Sequence, residues 1–394
     1  MTNQSNSTVE SFPGRWSVSN LVLGAGFGLT GAATVMLGVL LPTLSQKWGL
    51  RDDAAGFLLF LQFMGSSLGA ILTGARRIRS LIAGYGLLVA TAGSLAFAGM
   101  HLSFVLFFLF GLGLGMTMTT TSLLISDRYG DDRAAKLERL NFAWAAGATA
   151  APVLFLPFLR ESSLGPLFFT FQGLFLLLLV WVVFRERQGE GCAQLTSVAS
   201  QAQNSAAQHI LLPLVVLAMC SVGIESALSG WLTTYSHRAD ALGAGGASIA
   251  ASLFWFGIVL SRLAFSTRLL AIVGRRRLLR ALVWCVAPSV LLLVAAHQPA
   301  SIRLTAALAG MCIGPLYPLL LSFILQCSPR GWVFAVAGLG SALLPWLTGF
   351  FSAHFGSLRY GLIAPCGTAV LMIVLFSVGI RPADSSNPGS SPPH

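Results

Sequence analysis

The sequence predicts an all-α polytopic membrane protein with twelve transmembrane helices in two pseudo-symmetric six-helix halves. Three observations predict this fold: the composition, the number of apolar runs and the placement of the basic residues. Of the 394 residues, 55% are hydrophobic and 9% are charged, and the mean hydropathy is +0.78. Because soluble domains carry about 25% charged residues, this composition excludes a cytosolic enzyme, a disordered chain and a secreted disulfide scaffold.

The apolar runs give the number of spans. A helix needs about 20 mostly apolar residues to cross a bilayer. We predict spans at residues 20–41, 54–74, 81–100, 102–126, 140–159, 164–184, 210–235, 247–272, 278–296, 304–325, 332–355 and 360–380. Glycine and proline interrupt many runs, so the pattern fixes the number of spans more closely than their ends.

The basic residues give the orientation. The net charge of +11 would suit a nucleic-acid partner only if these residues formed one patch, but they lie in short clusters between the apolar runs. With both termini in the cytoplasm, sixteen lie on the cytoplasmic side and six on the other, while Arg262 and Arg268 fall within the eighth span. This positive-inside bias predicts a multi-pass protein of the cell (inner) membrane that binds no nucleic acid.

A polar segment divides the chain near its midpoint. Residues 188–208 are rich in Gln, Ser and Ala, which predicts a cytoplasmic linker between residues 1–187 and 209–394. The two parts echo each other: Gly147 and Pro152 in the fifth span correspond to Gly340 and Pro345 in the eleventh. Gly111 and Gly115 in the fourth span correspond likewise to Gly310 and Gly314 in the tenth. We therefore expect a duplicated six-helix unit whose glycines mark close helix packing.

Twelve spans, a polar linker and a six-plus-six repeat resemble the major facilitator superfamily of secondary transporters. In that superfamily, the loop after the second span carries a Gly-x-x-x-Asp-Arg-x-Gly-Arg-Arg motif. Residues 69–77 resemble it and keep Arg76 and Arg77, but Thr73 stands where the acid is expected. The weaker second copy corresponds to Ser261 and Arg262 followed by Gly274 and three arginines.

Shorter motifs are similar to the fucose:proton symporter family, which includes sodium-dependent glucose transporters. They lie at residues 140–144, 223–226, 231–235, 252–257 and 314–318. This resemblance implies import of a sugar driven by a cation gradient. The family's coupling acids in the first or fourth span are not present here, because Asp127 lies only at the end of the fourth.

Glu225 is the acid that sits well inside a predicted span. A charge at mid-membrane costs at least about 2.5 kcal/mol and is usually functional. We therefore predict that Glu225 binds the coupling proton, with sodium as the alternative ion. The competing interpretation is a neutral glutamate that hydrogen-bonds a neighbouring helix.

A sugar site needs polar partners for hydroxyls and aromatic platforms for apolar faces. Each candidate also has a structural interpretation: membrane-interface anchoring or packing for the aromatics, and bonds back to the helix for the threonines. The candidates are Gln62, Asn141, Glu225, Trp144, Trp255, Tyr317, Tyr235, Thr120 and Thr121.

The sequence thus predicts a secondary transporter, not an enzyme, that moves a monosaccharide such as glucose or fucose by alternating access. We expect a monomer in the lipid bilayer with a small-molecule substrate, no cofactor and no metal, and proton-coupled symport. The six cysteines show no metal or disulfide spacing. A drug or amphipathic-solute efflux antiporter is the nearest alternative, and a transport-fold sensor is another.

Overall fold

The computed structural model describes residues 18–74, 76–129, 133–160, 164–187, 208–239, 243–266, 274–327 and 332–379. These residues form helices joined by short loops. In chain order the helices are α1 (Val18–Trp48), α2 (Asp52–Ile71), α3 (Arg77–Leu95), α4 (Met100–Tyr129), α5 (Arg133–Leu154), α6 (Leu156–Arg160), α7 (Gly165–Arg187), α8 (Gln208–Ala239), α9 (Gly243–Ser266), α10 (Arg275–Ala295), α11 (Pro299–Ile313), α12 (Leu316–Cys327), α13 (Trp332–Phe355), α14 (Leu358–Gly361) and α15 (Ile363–Gly379).

The twelve predicted spans are confirmed: twelve segments of the described chain are long and apolar enough to cross a membrane. Most helices run past the apolar stretches, as in α1, because backbone hydrogen bonding continues into the polar flanks. The predicted linker, residues 188–208, lies outside the described residues except for Gln208, which begins α8.

Three of the described spans are divided: the last into α14 and α15, and the fifth and the tenth beside prolines. The fifth span breaks between α5 and α6, shortly after Pro152. The tenth breaks between α11 and α12, where Gly314 and Pro315 precede Pro318. A proline within a helix has no N–H to donate to the carbonyl four residues earlier, so each of these two breaks leaves an acceptor free.

The predicted glycine correspondences are matched by equivalent contacts in the two parts of the chain. A Cβ on Gly111 would collide with the carbonyl of Gln62 in the second span, and a Cβ on Gly310 with that of Phe254 in the eighth. The fourth span thus packs on the second as the tenth packs on the eighth, with backbones in direct contact. Gly147 in turn meets Gly28 of the first span, and Gly340 meets Met219 of the seventh.

Among the described residues, three pairs of spans join the first six spans to the last six. Helix α1 packs against α8, α2 against α13, and the fifth span, through α5 and α6, against α9. We call this surface the seam. Because the two sets of spans meet there, a site that is reshaped when they move relative to each other has to lie along the seam.

Candidate functional site

Two tryptophans meet across the seam. Trp144 lies near the middle of α5 and Trp255 near the middle of α9, and their ring centroids are 5.3 Å apart in an edge-to-face arrangement. Trp255 is buried, whereas Trp144 is half-buried. The Trp144 indole N–H is buried and has no hydrogen-bond acceptor among the described residues. An unpaired buried donor is costly, so this N–H is suited to a group supplied by a ligand.

Gln62 provides an unpaired acceptor in the first six spans. The residue is buried, and its side-chain nitrogen donates a 2.8 Å hydrogen bond to the carbonyl of Thr34 in α1. That bond fixes the amide, and its oxygen has no donor among the described residues. Gln62 therefore keeps an acceptor that a solute hydroxyl could fill.

Glu225 forms an ion pair within the last six spans. Its Oε2 lies 3.5 Å from a terminal nitrogen of Arg262 on α9, and the two side chains are 14% and 26% exposed. Tyr317, on α12, interacts electrostatically with both residues. Two of the predicted candidates, Glu225 and Tyr317, therefore interact with each other. Arg262, which was not among the candidates, interacts with both. Hydropathy places Arg262 in the eighth span. It does not give the depth of one helix in the membrane relative to another, so the pairing of Arg262 with Glu225 could not be predicted.

The guanidinium of Arg262 has a second partner. Its Nε donates a 3.0 Å hydrogen bond to the carbonyl of Gly314, at the break in the tenth span. This carbonyl lies four residues before Pro318 and is therefore not bonded within the helix. One side chain thus links the acid of α8 to the interrupted backbone of the tenth span.

The threonines of α4 differ in their hydrogen bonding. Thr117 bonds back to the carbonyls of Gly113 and Leu114, as the structural interpretation expects. Thr120 and Thr121 are buried, and the Thr120 hydroxyl has no partner among the described residues. Asn141 is exposed on α5, one turn before Trp144.

Tyr235 is placed differently from the other candidates. It is buried, and its hydroxyl lies 3.1 Å from the carbonyl of Val294 and within 3.4 Å of those of Leu293 and Ala296. These carbonyls end α10, so the phenol ties the seventh span to the ninth. Its hydroxyl proton is already engaged by these carbonyls, which supports the packing interpretation, and the predicted contact of Tyr235 with a solute stays a prediction.

An ion pair between a buried aspartate and a partly exposed arginine closes the seam at the end of the bundle where α1 ends and α2 begins, which we call the outer end. Arg238 donates to both carboxylate oxygens of Asp52, and Ser352 also donates to that carboxylate. Asp52 is the first residue of α2. Arg238 lies at the end of α8, and Ser352 lies near the end of α13. This cluster could not be predicted from the sequence, because charges at span ends indicate the orientation of the chain but not their partners.

Glycines bring the helices close at the outer end. A Cβ on Gly38 of α1 would lie 2.9 Å from the Cα of Gly230 on α8. A Cβ on Gly349 of α13 would collide with the carbonyl of Asp52 and lie 3.0 Å from the Cα of Gly56. The two sets of spans are thus sealed together at this end.

At the opposite end, the polar contacts described for the first four spans stay within them. Arg77 lies 3.7 Å from Asp127 at the end of α4, and Arg128 donates to Asn20 of α1. Thr73, at the position of the motif's acid, bonds back to the carbonyl of Gly69. An acid from the fourth span therefore pairs with the arginine that the loop motif retains.

The sequence matches the family model of the Major Facilitator Superfamily over residues 23–330. This chain belongs to the major facilitator superfamily. It is accordingly a multi-pass membrane transporter, in a superfamily of transporters and not of enzymes. The predicted superfamily resemblance is confirmed.

Solved structures share the fold of this superfamily member. A peptide transporter of the POT family is 16% identical, with a TM-score of 0.75 over 93% of this chain and 96% of that one. A D-xylose–proton symporter is 16% identical, with a TM-score of 0.72 over 92% and 97%. The E. coli fucose:proton symporter is 16% identical, with a TM-score of 0.61 over 93% and 99%. No curated protein matches the sequence.

Proposed function

We propose that this superfamily member imports a monosaccharide by alternating access in symport with a proton. The observation that carries the proposal is the meeting of Trp144 and Trp255 across the seam, with an indole N–H that lacks a protein acceptor. A solute held there would contact both sets of spans. Its binding and release would therefore depend on how the two sets are arranged.

The chemistry of the tryptophan pair and Gln62 suits a small hydroxylated solute. Sugar rings present C–H faces that pack on indoles, and hydroxyl groups that both donate and accept hydrogen bonds. The Trp144 N–H offers a donor and the Gln62 oxygen offers an acceptor. Two of the structures with this fold are named as symporters of D-xylose and of fucose, which supports a sugar as the first solute to test.

Glu225 supports proton coupling. Its carboxylate is ion-paired to Arg262 in the middle of a span, where an unpaired charge would be costly. A proton on Glu225 would cancel the charge of the carboxylate and weaken the pair. A carrier whose Glu225 alternates between the two forms could therefore couple proton movement to the exchange between its two states.

The sealed outer end supports a cycle that starts from this arrangement. In the proposed orientation, with both termini in the cytoplasm, the outer end faces the cell exterior and the structure represents an outward-closed state. The proposed sites of solute and proton lie within one chain, so we propose that a monomer in the cell membrane suffices.

The decisive experiment is uptake into proteoliposomes. Radiolabelled D-glucose, D-galactose, L-fucose and D-xylose are supplied with and without an inward proton gradient. We expect the gradient to drive accumulation of at least one sugar, and Trp144→Phe to weaken its uptake. The exposed Trp284, changed to Phe, is the matched control. Equilibration without accumulation would contradict proton coupling, and no flux of any sugar would favour efflux of amphipathic solutes.

A further inference from the structure

We propose that Arg262 is a positioning residue that connects Glu225 to the break in the tenth span, and that the carbonyl freed by Pro318 holds it in place. This inference rests on the proposed role of Glu225 in proton coupling. It adds a residue, Arg262, and a mechanical connection, the Gly314 carbonyl, that the proposed function does not contain.

The first step is the free carbonyl. In an uninterrupted helix, the N–H of residue 318 would bond the carbonyl of Gly314, but proline has no N–H. Gly314 is buried, so an unbonded carbonyl there would be costly. The Nε of Arg262 supplies the missing donor at 3.0 Å. The proline therefore creates the acceptor that the arginine uses.

The second step is the geometry of the guanidinium. The group is planar and rigid, so a hydrogen bond at Nε restricts where the two terminal nitrogens point. One of them lies 3.5 Å from the Glu225 carboxylate. Without the bond to Gly314, the same flexible side chain could turn away from Glu225. The Gly314 carbonyl thus determines how strongly the ion pair holds the carboxylate in its charged form.

The third step is the set of ionisable groups around Glu225. Among the described residues, Arg262 on α9 and Tyr317 on α12 are the ionisable groups that interact with it. Helices α1, α11, α13 and α15 also pack against α8, and among the charged groups of the described chain Arg262 is the one that acts electrostatically on Glu225. Control over the charge of Glu225 therefore falls to Arg262.

Protonation of Glu225 therefore changes the contacts of the tenth span. While Glu225 is charged, the guanidinium joins α8, α9 and the junction of α11 and α12. When Glu225 is neutral, the guanidinium keeps its bond to Gly314 and loses its charged partner, so the junction loses this polar link to α8. The break at Gly314 is then free to bend as the carrier changes state.

The test restores the missing donor. In Pro318→Ala the new N–H can bond the Gly314 carbonyl and compete with Arg262. Pro288→Ala, in the middle of α10, is the matched control because it also restores a helix N–H, on a helix that carries none of Glu225, Arg262 and Gly314. Arg262→Gln, Arg262→Lys and the double variant Arg262→Gln with Pro318→Ala complete the set.

The readout is the pH profile of gradient-driven uptake of the four radiolabelled sugars. A guanidinium within about 4 Å favours the charged carboxylate, so its loss favours the protonated form. We expect Arg262→Gln and Pro318→Ala each to move the midpoint up by about one pH unit, with sugar exchange retained. The double variant should move it no further, and Arg262→Lys should fall between Arg262→Gln and the wild type. A Pro318→Ala profile equal to that of Pro288→Ala would overturn the inference.

A second readout separates this inference from the proposed function. The unfolding temperature can be measured as a function of pH without any sugar. A step in this pH dependence that disappears in Glu225→Gln belongs to the titration of Glu225. If no sugar is transported, the proposed function fails, but the step should still move to higher pH in Arg262→Gln and Pro318→Ala. A step that stays in place in either variant would overturn the link through Gly314.

Discussion

Arg238 and Asp52 form a two-bond ion pair, with nitrogen–oxygen distances of 2.6 and 2.7 Å, that joins the two sets of spans at the outer end. The pair is charge-assisted and bidentate, which makes it one of the stronger hydrogen-bonded contacts available to a protein. Asp52 is buried, and Ser352 provides it with a third donor. The outer end must therefore break a specific cluster before a solute can enter from that side.

Loss of this cluster should open the outer end. We expect Asp52→Asn to raise several-fold the rate at which a membrane-impermeant maleimide labels a cysteine placed at Leu59, which packs on Gly230 in the closed arrangement. The neighbouring Asp53 is partly exposed, lies 3.4 Å from Arg51 and accepts a hydrogen bond from the N–H of Ala54, so its contacts stay local and Asp53→Asn is the matched control. Equal labelling of the two variants would show that the ion pair does not hold the outer end closed.

The same pair should be coupled energetically. Asp52→Asn and Arg238→Gln should each lower the unfolding temperature, and the double variant should lower it by less than the sum of the two. The coupling is expected to be about 1 kcal/mol, because Arg238 remains partly exposed. Scanning fluorimetry of the four proteins measures it. Strictly additive shifts would mean that the two residues act independently.

The close helix contacts at the corresponding positions Gly111 and Gly310 should not tolerate an added methyl group. Gly111→Ala and Gly310→Ala should each lower the unfolding temperature, since a Cβ would collide with a carbonyl of the neighbouring helix. Gly173→Ala, on α7, has nothing within 4 Å of the added carbon and should be neutral or slightly stabilising. A similar loss at all three positions would mean that the close contacts of Gly111 and Gly310 are not its cause, because helix propensity favours alanine over glycine.

The tryptophan at the seam should contribute to solute affinity. Trp144→Phe keeps an aromatic ring but removes the unpaired N–H, so a hydrogen bond of about 1 kcal/mol to a sugar hydroxyl would be lost. We expect the KM for the transported sugar to rise about fivefold with little change in maximal rate. Concentration-dependent uptake measures both quantities. An unchanged KM would remove Trp144 from the binding site.

Replacement of Glu225 should separate coupling from transport. Glu225→Gln cannot change its charge, so we expect it to lose accumulation under a proton gradient while sugar exchange between the two sides continues. Counterflow of the labelled sugar measures the exchange. Undiminished accumulation in this variant would assign coupling to another group, and sodium-driven accumulation would indicate the alternative ion.

The sequence predicts the fold because span number depends on local composition. Each run of apolar residues must satisfy its own backbone in lipid, so a helix is required wherever a run is long enough. The paired glycines Gly111 and Gly310 could likewise be predicted to pack closely, because equivalent positions in a duplicated unit have equivalent neighbours.

The side-chain pairs of the site could not be predicted in the same way. That Trp144 meets Trp255, or that Arg262 meets Glu225, depends on the tilt and depth of helices far apart in the chain. Tyr235 illustrates the limit, since its position near a span end gives no sign that two carbonyls of α10 and that of Ala296, just after it, lie around its hydroxyl. Asp52 and Arg238 lie 186 residues apart, and hydropathy treats both as loop charges.

The glycine contacts also restrict where the molecule can deform. Gly111 binds the second and fourth spans backbone to backbone, and Gly310 does the same for the eighth and tenth, so neither pair can slide without a collision. Each of these pairs of spans therefore moves as one unit. If the carrier cycles as proposed, its deformation falls on the contacts across the seam and on the break at Gly314.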